Sequence, residues 1–145
     1  MGWLVVRVRG GIHADRTVRT TLDQLHLTRP NHATVVPDSP SVQGMLRRVQ
    51  GYVTWGEADP ATVALLIEKR GEPASDPAPP ADGTPIPELA RLVAQDGLLR
   101  APGYKPVWRL KAPAKGWRST KKPFSLGGAL GYRGSAINEL VRRMV

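Results

Sequence analysis

The chain has no cysteine among its 145 residues. That excludes disulfides and thiolate chemistry and only weakly favours the cytoplasm. Its three histidines, His13, His26 and His32, have no metal-ligand spacing, so neither a metal site nor a cofactor is expected. No apolar run approaches the roughly 18 residues that a membrane-spanning helix needs, so no membrane span is expected. The start, Met1-Gly2-Trp3-Leu4-Val5-Val6-Arg7, lacks the basic-then-apolar layout of a signal peptide and reads as a strand that begins at once. One absence is local. From Gly97 to Asn138 there is no Asp or Glu at all.

That acid-free window holds nine cations: Arg100, Lys105, Arg109, Lys111, Lys115, Arg118, Lys121, Lys122 and Arg133. The rest of the chain has twelve basic and twelve acidic residues, so the formal net charge of +9 is concentrated there. Tyr104, Trp108, Trp117, Phe124 and Tyr132 are interleaved with the cations, on a backbone that includes seven glycines. Cations neutralise phosphates and release counterions, and aromatic and guanidinium planes stack on unpaired bases. The plain alternative is a disordered basic tail. The aromatics, and the apolar helix that follows them, favour an ordered surface for a polyanion. A sequence pI near 10.7 favours an anionic partner, either nucleic acid or an acidic membrane surface.

The length fits one domain, or a small domain with an appendage. Trp3 to Arg9 reads as a strand, with Leu4, Val6 and Val8 on one face and Arg7 and Arg9 on the other. Gly10-Gly11 ends it. Asp15 can cap a helix over Arg16 to His26 whose apolar face is Val18, Leu22 and Leu25. Ala33 to Val36 is a short β-rich run stopped by Pro37. Asp38 or Ser39 then caps a second helix with the stripe Val42, Met45, Leu46 and Val49, and Pro40 sits in its first turn, where a missing N–H costs nothing. Tyr52 to Trp55 is a third strand. Residues 1–57 are thus β-α-β-α-β, and 58–145 form a C-terminal extension. The extension divides into a helix over 59–70, a Pro/Ala linker over 72–87 and a short helix over 86–95. A strand at 107–110, a basic loop over 111–132 and a helix over 135–144 with the stripe Ile137, Leu140, Val141 and Met144 complete it.

Three local patterns invite a chemical reading. Gly127 to Gly134 looks like a phosphate loop but lacks the Lys-Ser/Thr ending and the preceding strand of a nucleotide site; a flexible connector that lets backbone approach phosphate fits better. His13 and Asp15 lack a nucleophile or second carboxylate, and read as a turn histidine and a helix cap rather than an acid–base pair. Arg16 and Arg19, near a helix N-terminus, fit either a phosphate site or a solvated basic face. Gly44 is out of place inside a helix, where glycine costs roughly 1 kcal/mol relative to alanine. Close packing against its own sheet is the favoured reason, with approach of an outside backbone as the alternative. Arg47 and Arg48 point away from the buried stripe.

The run Asn31-His32-Ala33-Thr34-Val35-Val36-Pro37-Asp38-Ser39-Pro40-Ser41-Val42-Gln43-Gly44-Met45-Leu46-Arg47-Arg48-Val49 resembles the core of the universal large-subunit ribosomal protein L-thirty family. A short strand, an Asp/Glu-Ser/Thr turn and a helix opening with Gly-Met recur there. Arg109-Leu110-Lys111-Ala112-Pro113-Ala114-Lys115-Gly116 resembles the strand and Pro/Gly-basic loop of the archaeal and eukaryotic long form. Phe124-Ser125-Leu126-Gly127-Gly128 and Ile137-Asn138-Glu139-Leu140-Val141-Arg142-Arg143-Met144 resemble that form's closing segments. Tyr132 departs from the pattern, which has a small polar residue such as Asn there.

β-α-β spacing alone suggests parallel strands with crossover helices. The resemblance implies instead an α/β (α+β) fold akin to the ferredoxin-like one. Its three-stranded antiparallel sheet has the order 3-1-2, the first strand is central and both helices lie on one face. It also implies a non-enzymatic, archaeal-type structural component of the large ribosomal subunit in the cytoplasm. Its partners would be large-subunit rRNA and neighbouring large-subunit ribosomal proteins, with no membrane, no small-molecule substrate and no homo-oligomer. RNA contacts are expected from the loop after the first strand (Gly10, Gly11, His13, Arg16, Arg19), from His32, and from the second helix (Gln43, Arg47, Arg48). Further contacts are expected from the basic stretch (Lys105, Arg109, Lys111, Lys115, Trp117, Arg118, Lys121, Lys122, Arg133) and the closing helix (Arg142, Arg143). Trp108 and Trp117 are each candidates either for stacking on bases or for packing in the protein. A free-standing nucleic-acid-binding regulator or chromatin-type protein is the alternative reading.

Overall fold

A strand buried on both faces reads as a near-continuous apolar run, and Leu4, Val5 and Val6 are all fully buried. They belong to β1 (Trp3–Arg7), the central strand in a computed structural model of the chain. The structure describes residues 2–9, 15–25, 27–37, 39–70, 91, 108–111, 113, 119–123 and 128–145. The remaining elements are α1 (Arg16–Gln24), β2 (His32–Val36), α2 (Pro40–Arg48), β3 (Val53–Glu57), α3 (Pro60–Arg70), β4 (Trp108–Arg109), β5 (Ser119–Pro123), β6 (Gly128–Tyr132) and α4 (Ala136–Met144).

The sheet order is β4-β2-β1-β3-β6-β5. β1 pairs antiparallel with β2, from Trp3 opposite Val36 to Val6 opposite Ala33, and antiparallel with β3, from Trp3 opposite Glu57 to Arg7 opposite Val53. The antiparallel 3-1-2 centre expected from the resemblance is therefore present, and the parallel arrangement suggested by spacing is not. The sheet extends further than the expected three strands. β4 joins β2 antiparallel, and β6 joins β3 in parallel, with Thr54 opposite Gly131 and Trp55 opposite Tyr132. Both cover backbone edges that would otherwise be left unpaired. Residues 111–132, expected as a basic loop, thus contain two strands. The glycines and lysines there hide the strand periodicity, since β6 reads Gly-Ala-Leu-Gly-Tyr. The linker 72–87 lies outside the described residues, as does the helix 86–95 apart from Arg91.

Alternation along β1 sorts the core into two layers. Leu4 and Val6 face Val63, Leu66 and Ile67 of α3, Ile137, Leu140, Val141 and Met144 of α4, and Trp108 of β4. Val5 faces Leu22 and Leu25 of the α1 region and Leu46 and Val49 of the α2 region, with Trp3, Val18, Val42, Met45, Tyr52 and Trp55 partly buried around them. α1 and α2 share one face, as expected, and α3 and α4 cover the other. Trp108 is packed in the protein, at 1% exposure.

Helix ends follow local chemistry. The Ser39 side chain accepts a hydrogen bond from Val42 N at 3.3 Å and Pro40 occupies the first turn, so Ser39 rather than Asp38 caps α2. The Asp15 side chain makes no capping bond to α1; its backbone carbonyl accepts from Arg19 N at 3.0 Å. At Gly56 a Cβ would collide with the carbonyl oxygen of Gly134 and lie 2.8 Å from Ile137 Cγ2. Glycine there lets the turn into α4 lie directly on β3.

Candidate nucleic-acid interface

α1 and α2 lie side by side over the Val5 layer, so the basic residues they do not bury face outward together. Arg16 and Arg19 of α1 and Gln43, Arg47 and Arg48 of α2 are all exposed. Arg47 and Arg48 occupy the last turn of α2, where the helix dipole also favours positive charge. Gly44 is exposed on this helix, and among the described residues a Cβ built on it would meet nothing within 4 Å. Packing against its own sheet, the reason favoured from sequence, does not account for it. The helix turns this position to solvent, one turn before Arg47 and Arg48.

His32 stands opposite Arg109 across β2 and β4, on the same side of the sheet as Val36. Arg109 is exposed and His32 half-buried. Lys111 belongs to a different patch. Its backbone N–H donates to Met144 O at 3.0 Å, which places it beside the end of α4, where Arg142 and Arg143 are exposed. Asp59 approaches Arg142 at 3.8 Å. Apart from Arg133, the expected contacts whose side chains are described thus fall in two patches, one on the α1/α2 side and one at the C-terminal end of α4. Gly10, Gly11, His13, Lys105, Lys115, Trp117 and Arg118 lie outside the described residues, and Lys121 and Lys122 are placed only as backbone in β5.

Residues 3–53 match the family model described as Ribosomal protein L30p/L7e. The large ribosomal subunit protein uL30 of Methanosphaera stadtmanae is 38% identical over 151 residues, spanning 99% of each chain. That of Methanopyrus kandleri is 40% identical, over 95% of this chain and 100% of the relative. That of Methanococcus maripaludis strain C5 is 38% identical over the whole of both.

The chain belongs to the uL30 family.

In this uL30 family member the family-model match ends at residue 53, yet the later residues are integral to the sheet. Arg133, expected at the RNA interface, has an internal task. Its Nε donates to Thr54 Oγ1 at 2.8 Å and its Nη2 to Ala129 O at 2.8 Å, while Thr54 Oγ1 donates to Gly131 O at 2.7 Å. This brace ties β6 to β3. Asn138 performs a similar task at the start of α4. Its Nδ2 donates to Glu57 O and Ser135 O, and its Oδ1 accepts from Asp59 N, all at 3.0 Å.

Two features went unread in the sequence. Arg7 lies on the face away from Leu4, as alternation predicts, and that face is also core. Its Nη1 donates to Leu27 O at 2.8 Å and its Nε to Arg9 O at 3.0 Å. Burial pushes its pKa below the usual arginine value, against the opposing influence of Asp23 and Tyr52. The second is an aromatic cleft where Trp3, Trp55 and Tyr132 meet α2. The antiparallel register brings Trp3 and Trp55 onto one face, and the parallel pairing of β6 sets Tyr132 beside Trp55. Tyr132, a departure from the family pattern, is the signal of it that the sequence carries.

Proposed function

We propose that this protein is a structural constituent of the large ribosomal subunit in the cytoplasm, where it binds large-subunit rRNA and stabilises its fold without catalysing a reaction. The observation that carries this is 38% identity across 99% of both chains with a relative named large ribosomal subunit protein uL30. The exposed arginines of α1 and α2 support it chemically, because guanidinium groups neutralise phosphate and release condensed counterions. A-form RNA offers side chains little access to its deep major groove, so contacts to phosphates and to unpaired bases suit such a surface. In this reading residues 1–57 are the rRNA-binding core and 58–145 the extension that covers its second face and adds a basic patch around Lys111, Arg142 and Arg143. Neighbouring ribosomal proteins complete its surroundings, and the chain does not pair with itself.

Sedimentation of cell extract from the source organism tests this. Almost all of the protein is expected in the large-subunit and ribosome fractions. A predominantly slow-sedimenting pool that binds a short defined target would instead establish a free-standing regulator.

A further inference from the structure

The aromatic cleft is open and apolar, with a volume of about 230 Å³. Trp3, Trp55 and Tyr132 wall it, Leu46 floors it, and Gln43 and Arg47 stand at its rim. The Tyr132 ring meets Trp3 edge to face, with centroids 5.6 Å apart and planes at 86°. The Tyr132 hydroxyl donates to the Glu57 carboxylate, which holds the ring at the cleft wall although the side chain is 49% exposed. Three large rings grouped at the surface and fixed in place are a ready platform for a flat heterocycle.

Charge and shape next to the cleft decide between a base and a protein side chain. Residues 39–56 contain no Asp or Glu, whereas Arg47 and Arg48 are exposed at the end of α2 and Arg16 and Arg19 on the adjacent α1. Glu57, the acidic group beside the cleft, is tied to the Tyr132 hydroxyl. Arg47 belongs both to the rim and to the outer face of α2, one turn after Gly44. Gly44 leaves that face without a side chain, and none of the described residues approaches within 4 Å of where a Cβ would stand. A phosphate-linked base satisfies every one of these features at once: rings for the base, arginine for the phosphate, and a bare helix surface over which the backbone passes.

We infer that the cleft takes one unpaired base of the bound RNA, stacked on its aromatic rings, with the adjoining phosphate lying over Gly44 against Arg47 and Arg48. This rests on the rRNA-binding reading above and deepens it to one site. The full chain, mixed with full-length large-subunit rRNA transcribed in vitro, is irradiated at short wavelength and digested. Nucleotide adducts are expected on the peptides carrying Trp3, Trp55 or Tyr132. Tyr132→Ala is expected to weaken rRNA binding by about five- to 150-fold, the range for losing one stacked base, whereas Tyr132→Phe, which keeps the ring but loses the tie to Glu57, is expected to weaken it less. Gly44→Gln is expected to raise the melting temperature by about 3 °C, since glutamine is the better helix former, and yet to weaken binding. Tight rRNA binding with no adduct on these peptides and no loss in Tyr132→Ala overturns the inference and leaves the rRNA-binding reading standing. So does a cleft that crosslinks to a neighbouring protein in isolated subunits. Absence of rRNA binding by the native chain overturns both.

Discussion

The two faces of the sheet are built from the same strands and do different work. On the α3/α4 face the side chains of Val63, Leu66, Ile137, Leu140, Val141 and Met144 are almost entirely removed from water. On the α1/α2 face Trp3, Val18, Val42, Met45, Tyr52 and Trp55 are only partly covered, and arginines crowd the outer surface. Both faces carry hydrophobic stabilisation, at roughly 25 cal/mol per Å² of apolar surface buried, the α1/α2 face through Val5, Leu22, Leu46 and Val49 beneath its partly covered rim. The open face keeps aromatic and cationic groups within reach of a partner. One β1 supplies both, because alternate residues of a strand point in opposite directions.

Damage to the closed face gives the largest expected effect. Trp108→Ala removes a buried indole from β4 and is expected to cost about 3–5 kcal/mol. Chemical denaturation measures it, and the rRNA affinity of the protein that remains folded is expected to hold. A cost below about 1 kcal/mol would mean that β4 does not seal that face.

Next comes the join between the two halves of the chain. Asn138→Ala leaves Asp59 N and Glu57 O without their side-chain partner and is expected to cost about 1–3 kcal/mol. Amide exchange is expected to rise at Asp59 and along the first turn of α4 before it rises in α1 or α2. Equal loss of protection on both faces would erase the distinction between them.

The open face predicts the reverse pattern. Changing Arg47 and Arg48 together to Ala is expected to shift stability by no more than about 0.5 kcal/mol. It is also expected to reduce the salt slope of rRNA binding by about 1.5, for two phosphate contacts at roughly 0.7 to 0.9 each. Titrating binding against salt gives the slope directly, and an unchanged slope would remove α2 from the interface.

The smallest effect is a titration. The Tyr132 hydroxyl donates to Glu57, so its pKa is raised above the ordinary tyrosine value, first by that hydrogen bond, with burial and the Glu57 charge acting the same way. A raised folded-state pKa means that the bond stabilises the fold fully below about pH 10 and is lost as pH rises through the folded value. Spectrophotometric titration is expected to show one phenol ionising late, and Tyr132→Phe is expected to abolish that late step. If the late step survives, the tie to Glu57 does not persist in solution.

The elements with a clean period were legible from the residues. Ile137, Leu140, Val141 and Met144 are all buried as their spacing requires, and Ser39 with Pro40 marks the start of α2 through chemistry confined to a few neighbouring residues. The internal packing expected at Gly44 is not present among the described residues, because helical position says which face a residue occupies only once the rotation of the helix against the sheet is known. β6 escaped notice because its glycines carry no alternation, and its strand character comes from pairing with β3, more than 70 residues away in sequence.

By itself the sequence determined the concentration of charge, the helices with continuous apolar stripes and, through two distant motifs, the family. These are local properties, set by composition and by spacing of a few residues. Only the tertiary structure decided that β1 is buried on both faces, that Arg133 braces β3 instead of reaching outward, and that Trp3, Trp55 and Tyr132 form one cleft. Each of those depends on strand register between distant segments, and register is fixed by the summed packing of both core layers, which no single stretch of the chain contains.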